Sequence, residues 1–137
     1  MNHIANQEDY LRLMYKIYEK QGGRGIRKVD LARELKISKP SVTYMMKKFF
    51  KKGIILSDAY SLVLFTSKGL KLAKEITHNY RVIEIFLRDV LGYKSLRKIR
   101  EEAHILEHAF SENAIRRLDK FLGNPQICPH GDKIHHL

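Results

Sequence analysis

Apolar residues recur at helical spacing from the start of the chain. Tyr10, Met14, Ile17 and Tyr18 fall on one face of a helix read over residues 8–21, and Gly22-Gly23 ends it. After a turn at Gly25, the apolar positions Leu31, Ala32 and Leu35 mark a second helix with Asp30 as its N-cap. Lys36-Ile37 is a short break. A third helix is capped by Ser38 and carries Pro40 in its first turn, where a missing N–H costs nothing. Its buried stripe is Val42, Met45, Met46 and Phe49, and Gly53 stops it. The period then shortens to that of strands. Ile54-Ile55-Leu56 and Leu62-Val63-Leu64-Phe65 flank a turn-rich connector over 57–61, which predicts a hairpin.

The second half returns to helical spacing. Thr66 caps a long helix reaching about residue 91, with Leu70, Ala73 and Ile76 on one stripe and Val82, Ile83, Phe86, Leu87 and Val90 on another. Thr77-His78-Asn79 are weaker helix formers, and a kink is expected there. Gly92 breaks the helix, another follows over 95–110, and Ser111 caps a last one bearing Ile115, Leu118 and Leu122 before Gly123. Residues 124–137 read as a Pro/Gly-containing tail. The expected fold is mainly α with a small β-hairpin: a winged helix-turn-helix domain over 1–70 and a helical metal-binding and dimerisation domain over 71–137. The long helix exposes more apolar surface than a small domain covers alone, which predicts a two-fold homodimer.

Charge adds a partner. The chain of 137 residues carries 26 Lys+Arg against 15 Asp+Glu, a formal charge of +11. Residues 1–70 hold 14 Lys+Arg and 6 Asp+Glu, whereas 71–137 hold 12 and 9. A basic first half points to a polyanion, and two short helices with a tight break point to DNA. Ser38, Lys39, Pro40, Ser41, Thr43 and Tyr44 place a slim polar helix end in the major groove. Lys47 and Lys48 follow as phosphate contacts, which fix register without reading sequence. Ser61 and Tyr60 of the wing are further candidates.

The single cysteine, Cys128, excludes a disulfide framework and an all-thiolate metal site. No apolar run is long enough to span a bilayer, and no charged-then-apolar leader opens the chain, so a cytoplasmic protein without a membrane partner is expected. No catalytic triad, phosphate-cradling glycine loop or catalytic carboxylate pair can be assembled, so no enzyme is expected.

His104-Ile105-Leu106-Glu107-His108 supplies the remaining chemistry. At spacings of three and four, His104, Glu107 and His108 share a helix face, with Glu101 one turn before. Two imidazoles and a carboxylate suit a divalent first-row metal. Such a site wants at least one more ligand, and Asp9 is a candidate if the first helix packs nearby. The bland readings are an exposed helix face and, for Asp9, an acid favoured near a helix start. A diiron bundle would need a second Glu-x-x-His, and Glu84 is followed three later by Leu87. Cys128, His130, His135 and His136 offer a second metal site in the tail, with its ligands on irregular backbone; the bland reading is a structural tail with incidental histidines.

These segments, taken in order, resemble the diphtheria-toxin-repressor (DtxR/MntR) family of metal-dependent transcriptional regulators. Glu8-Asp9-Tyr10-Leu11 is similar to its opening helix and Ser38-Lys39-Pro40-Ser41-Val42-Thr43 to its recognition-helix start. Leu64-Phe65-Thr66-Ser67-Lys68-Gly69 resembles the wing exit. The run from Glu102 to Ser111 resembles the ligand helix, and Cys128-Pro129-His130-Gly131 the end of the dimerisation domain. The layout is that of the short, manganese-type members.

The resemblance implies a dimeric repressor of metal-homeostasis genes that binds operator DNA when a divalent metal bridges its two domains. It puts Asp9, Glu107 and His108 on ligand positions, with His104 where the iron branch has cysteine and the manganese branch glutamate. Tyr80 stands where a ligand histidine is usual, and Arg12 where the manganese branch has a carboxylate. Both changes remove ligands of a second metal and leave Glu84 without its partners, while His78 would substitute only after a register shift. One metal per subunit is therefore expected, Mn²⁺ or Fe²⁺ first, with Zn²⁺ and Co²⁺ compatible. The alternative is a metal-independent winged-helix DNA-binding protein with incidental histidines.

Overall fold

The structure is a computed structural model that describes residues 5–59 and 61–134. In chain order it comprises α1 (Gln7–Lys20), β1 (Ile26–Arg27), α2 (Lys28–Leu35), α3 (Lys39–Lys51), β2 (Leu62–Val63), α4 (Ser67–Asp89), α5 (Leu96–Leu106) and α6 (Glu112–Phe121). The chain divides into two units between Ile76 and Thr77. No helix among the described residues is long and apolar enough to cross a membrane.

In the first unit, α1, α2 and α3 turn their apolar stripes onto one core. Leu11 and Met14 meet Leu31, Val42, Met46 and Phe49, and Ile54, Ile55 and Val63 close it from the wing side. Tyr10 sets its ring edge-on to Phe49 with centroids 6.2 Å apart. Burying each of the largest of these side chains contributes about 1.5–3 kcal/mol. The predicted caps hold at Ser38, whose Oγ accepts from the Ser41 N–H, and at Thr66, whose Oγ1 accepts from the Gly69 N–H.

Two local expectations change. Asp30 does not cap α2, because that helix begins two residues earlier, behind Arg27. Its carboxylate instead takes hydrogen bonds from both Arg27 and Arg33, each one turn away. Among the described residues, the arms of the expected hairpin meet at the Ile55–Phe65 bridge and the Leu56 N–H to Leu64 carbonyl bond of 2.9 Å. The ladder itself joins β2 antiparallel to β1, pairing Ile26 with Val63 and Arg27 with Leu62. A two-residue strand has no alternation to read, so β1 is silent in the sequence. Tyr60 lies outside the described residues.

In the second unit, α4 has two buried faces. Ile83 and Leu87 pack with Ile99, Ala103 and Ile115 of α5 and α6. Val82 and Ile85 pack with Cys128 and Ile134 of the tail. The tail is therefore built in: its Ile134 N–H donates to the Gln126 carbonyl, and the Cys128 N–H to the Asp132 carbonyl. The apolar surface of α4 that suggested a dimer is thus largely covered within the subunit. Exposed instead are Val90, Leu91, Leu96, Ile105, Phe121 and Ile127. The helix continues through Thr77-His78-Asn79, where a kink was expected. Thr77 and His78 are buried, and the His78 Nε2 to Asp119 Oδ2 contact of 3.1 Å fixes this turn against α6.

Gly69 sits where α4 starts against the backbone at Gly53-Ile54, to which the Thr66 hydroxyl and N–H donate. A Cβ at Gly69 would collide with the Ile54 carbonyl oxygen. Gly69→Ala is expected to destabilise the first unit by at least about 1–3 kcal/mol through overpacking of a rigid backbone contact, read as a lower denaturation midpoint.

Candidate functional site

The ligand helix ends where its ligands begin. Ser95 caps α5, and Glu107 occupies the C-cap with helical φ and ψ of −59° and −29°. The next residues turn tightly, with the Ala109 N–H donating to the Leu106 carbonyl. Helical geometry thus persists long enough to gather the three side chains. Glu107 Oε1 stands 3.5 Å from His104 Nδ1 and 3.7 Å from His108 Nε2, and the Glu107 side chain is only 5% exposed. Two ligands on one tetrahedral ion with bonds of about 2.1 Å are about 3.4 Å apart. The observed separations match that edge, and the donor set of two nitrogens and a carboxylate suits a divalent metal. Glu101 is not part of this group; it is exposed and pairs with Arg97 and Lys98.

Asp9, in the first unit, is the third residue of α1 and completes a reciprocal cap. Its N–H donates to Asn6 Oδ1, and its Oδ2 accepts from the Asn6 N–H, both at 2.9 Å. Its Oδ1 accepts from Arg12 at 2.6 Å. The helix-start reading of Asp9 is therefore structurally real, and Arg12 gives the buried carboxylate a fixed counter-charge.

Glu84 has partners after all. Its Oε2 lies 2.6 Å from His130 Nδ1, and both side chains are largely buried. Glu84, Cys128 and His130 offer an oxygen, a sulfur and a nitrogen within 4.8 Å of one another. Glu84 is therefore not isolated, and Cys128 and His130 stand beside it as a candidate group; His135 and His136 lie outside the described residues. Residue spacing hides this group, because Glu84 and Cys128 are 44 positions apart. The one available signal was the Cys128-Pro129-His130 run itself. Tyr80, where a ligand histidine is expected, and His78, its possible substitute, both make contacts within the second unit. The Tyr80 hydroxyl donates to the Arg100 carbonyl, and His78 is engaged by Asp119 and Asn79.

On α3, Val42, Met46 and Phe49 face the core, while Ser38, Lys39, Pro40, Ser41, Thr43, Tyr44 and Lys47 are exposed. Ser38 Oγ and Ser41 Oγ are 2.8 Å apart. Lys48 is half-buried, with Nζ 5.0 Å from the centre of the Tyr44 ring. The helix contains no acidic residue, so every side-chain charge it carries is positive.

Residues 3–61 match the family description "Iron dependent repressor, N-terminal DNA binding domain", and 66–136 match "Iron dependent repressor, metal binding and dimerisation domain". The chain belongs to the DtxR/MntR family. Members are metal-dependent transcriptional regulators rather than enzymes. A helix-turn-helix-type transcriptional regulator of Methanocaldococcus jannaschii is 36% identical over 84% of this chain and 90% of its own length. The regulator MntR of Bacillus subtilis is 32% identical over 82% of this chain and 77% of its own. The solved manganese regulator SloR superposes with a TM-score of 0.83 at 37% identity, covering 98% of this chain. This chain spans only 61% of that structure's length. The winged-helix and dimerisation-domain architecture read from the sequence is the family's own.

Burial first, and the neighbouring Glu84 charge second, push the Cys128 thiol above its ordinary range. A raised folded-state value favours the neutral thiol. The stability it carries is full below the unfolded thiol value, near about 8.5, and is lost as pH rises through the folded one. Alkylation of Cys128 by iodoacetamide at pH 7.5 is expected to be at least tenfold slower in the native chain than in urea, by about the same factor as the loss of accessible thiolate. Equal rates would show that the thiol is neither buried nor held neutral.

Proposed function

We propose that the chain works as a homodimeric, metal-activated repressor. Asp9 of the first unit would act with His104, Glu107 and His108 of the second as ligands of one divalent ion. The observation that carries this reading is the Glu107 carboxylate, withdrawn from water and flanked by two imidazoles at 3.5 and 3.7 Å. It lies in the stretch that matches a metal-binding and dimerisation domain.

When bound, the metal supplies charge neutralisation and a fixed coordination geometry. The residues do the rest. Glu107 is held at the helix end by the α5 C-cap, so its direction is set by the backbone. His104 and His108 lie on either side of it, 30% and 50% exposed, and reach the outside where an ion enters. Asp9 is oriented by its reciprocal cap, and Arg12 must share or release it when it ligates. Metal thus competes with an intramolecular ion pair, which raises the metal concentration needed for activation. A switch from about 1:99 to 99:1 requires about 5.5 kcal/mol of differential metal affinity. A site completed from two units supplies it only in the arrangement that completes it.

Metal-loaded dimers would present two α3 helices to operator half-sites about 34 Å apart. Exposed Val90, Leu91, Leu96, Ile105, Phe121 and Ile127 are the apolar residues of the second unit available to a second copy. The reading places the protein in the cytoplasm with its DNA. Mn²⁺ and Fe²⁺ are the first candidates and Zn²⁺ and Co²⁺ also fit, since affinity order alone does not select among them. The oxygen, sulfur and nitrogen of Glu84, Cys128 and His130 form a second candidate site, so the single-metal expectation becomes a question of count.

Native mass spectrometry of the dimer titrated with Mn²⁺ and Zn²⁺ is expected to show up to two ions per subunit. His108→Ala is expected to weaken one by more than about tenfold, a lower bound set by the effect of losing even an outer-shell partner. Cys128→Ser is expected to remove the other while leaving metal-dependent DNA retention in gel shifts intact. Retention that survives chelator, or that is unchanged in His108→Ala, would return the protein to the metal-independent class.

A further inference from the structure

The outer face of α3 carries few of the side chains that read bases. Bidentate recognition uses Arg or Lys for guanine and Asn or Gln for adenine, Asp or Glu accept from cytosine, and Ser or Thr serve either. Arg, Asn, Gln, Asp and Glu are all absent from Lys39–Lys51, which leaves the lysines, Ser41, Thr43 and Tyr44. The two serines at the helix start are spent on each other: Ser38 Oγ caps the Ser41 N–H and lies 2.8 Å from Ser41 Oγ. Lys39, Lys47 and Lys51 are exposed point charges suited to phosphates.

Tyr44 is the largest exposed side chain at the start of this face, and its setting is unusual for an aromatic residue. It is 61% exposed on the face opposite Val42, Met46 and Phe49. The Lys48 ammonium stands over its ring at 5.0 Å, one helical turn away. That contact occupies one ring face and restrains the side chain before any DNA arrives. The ring edge and hydroxyl stay outward. Of the four bases, thymine offers the matching edge in the major groove: an apolar C5 methyl beside an O4 acceptor. The ring edge packs on the methyl, and the phenol donates to O4.

Building on the DNA-binding reading above, we infer that Tyr44 is a specificity-determining residue of α3 and reads the C5 methyl of one thymine in each operator half-site. Lys48 is its positioning residue.

The test uses the full chain with Mn²⁺ at fixed salt, and a pool of random-sequence duplexes as the probe. Thymines of the enriched duplex are replaced one at a time by deoxyuridine, which removes only the methyl. One thymine per half-site is expected to cost about fourfold in affinity, the value of one buried methyl-sized group. Tyr44→Ala is expected to abolish that difference at the same thymine, and Tyr44→Phe to keep it. Because Tyr44 is exposed, neither variant threatens the fold. A deoxyuridine penalty that is the same in Tyr44→Ala overturns the inference, as does a loss of equal size on every duplex, which would mark Tyr44 as a phosphate contact. In both cases, retention that still responds to chelator leaves the repressor reading standing. Failure of the wild-type chain to enrich any duplex overturns both.

Discussion

A carboxylate removed from water must be compensated, and the candidate ligands of this protein include three of them. The side chains of Asp9, Glu84 and Glu107 are 5%, 3% and 5% exposed. An isolated buried anion is costly, so each location has to supply positive charge or hydrogen bonds. The three are handled differently. Asp9 is tied to a backbone N–H and to Arg12. Glu84 is in direct contact with one imidazole at 2.6 Å. Glu107 stands between two imidazoles at separations longer than a hydrogen bond but suited to a shared ion. The last arrangement is already spaced for a cation. The second must lengthen to admit one, and the first must give up or share a guanidinium.

That difference connects the second unit's construction to its function. Glu107 is placed by the end of α5, whose Ile99 and Ala103 lock it against Ile83 and Leu87 of α4. Glu84 lies on the same helix, α4, but beside Val82 and Ile85, which pack against the tail. One helix therefore anchors both ligand groups through different faces. The Arg81 guanidinium bond to the Lys133 carbonyl and the Cys128–Asp132 backbone bond hold the tail against that second face. Substitutions in the tail would thus act on the Glu84 group through its backbone geometry, while the Glu107 group depends on α5.

Local chemistry was legible in the sequence where one residue determines it. The N-caps Ser38, Thr66 and Ser111 stand out because a short hydroxyl before an apolar run satisfies an orphan N–H with no distant partner. The ligand triplet on α5 was legible because helical periodicity alone gathers it. Long-range pairings were not. Glu84 and His130 are brought together by the tail's turn, and His78 and Asp119 by helix packing, neither of which leaves a local pattern. Asp30 was misread for the opposite reason. An acid near a helix start fits a cap equally well as a partner for flanking arginines, and the two uses differ only by where the helix begins.

The two ligand groups also differ in what they ask of a metal. His104, Glu107 and His108 are nitrogen and oxygen donors suited to hard or borderline ions. The Glu84 group includes a thiol that burial and a neighbouring carboxylate keep protonated. Binding there must displace that proton, which favours ions with strong affinity for thiolate, Zn²⁺ above Mn²⁺. Charge works in the same direction. A divalent ion beside Glu84 removes the repulsion that raises the thiol, so proton loss and metal binding reinforce each other. The group on α5 contains no thiol and suits the harder ions. A regulator with both would fill them in an order set by proton displacement rather than by ligand count.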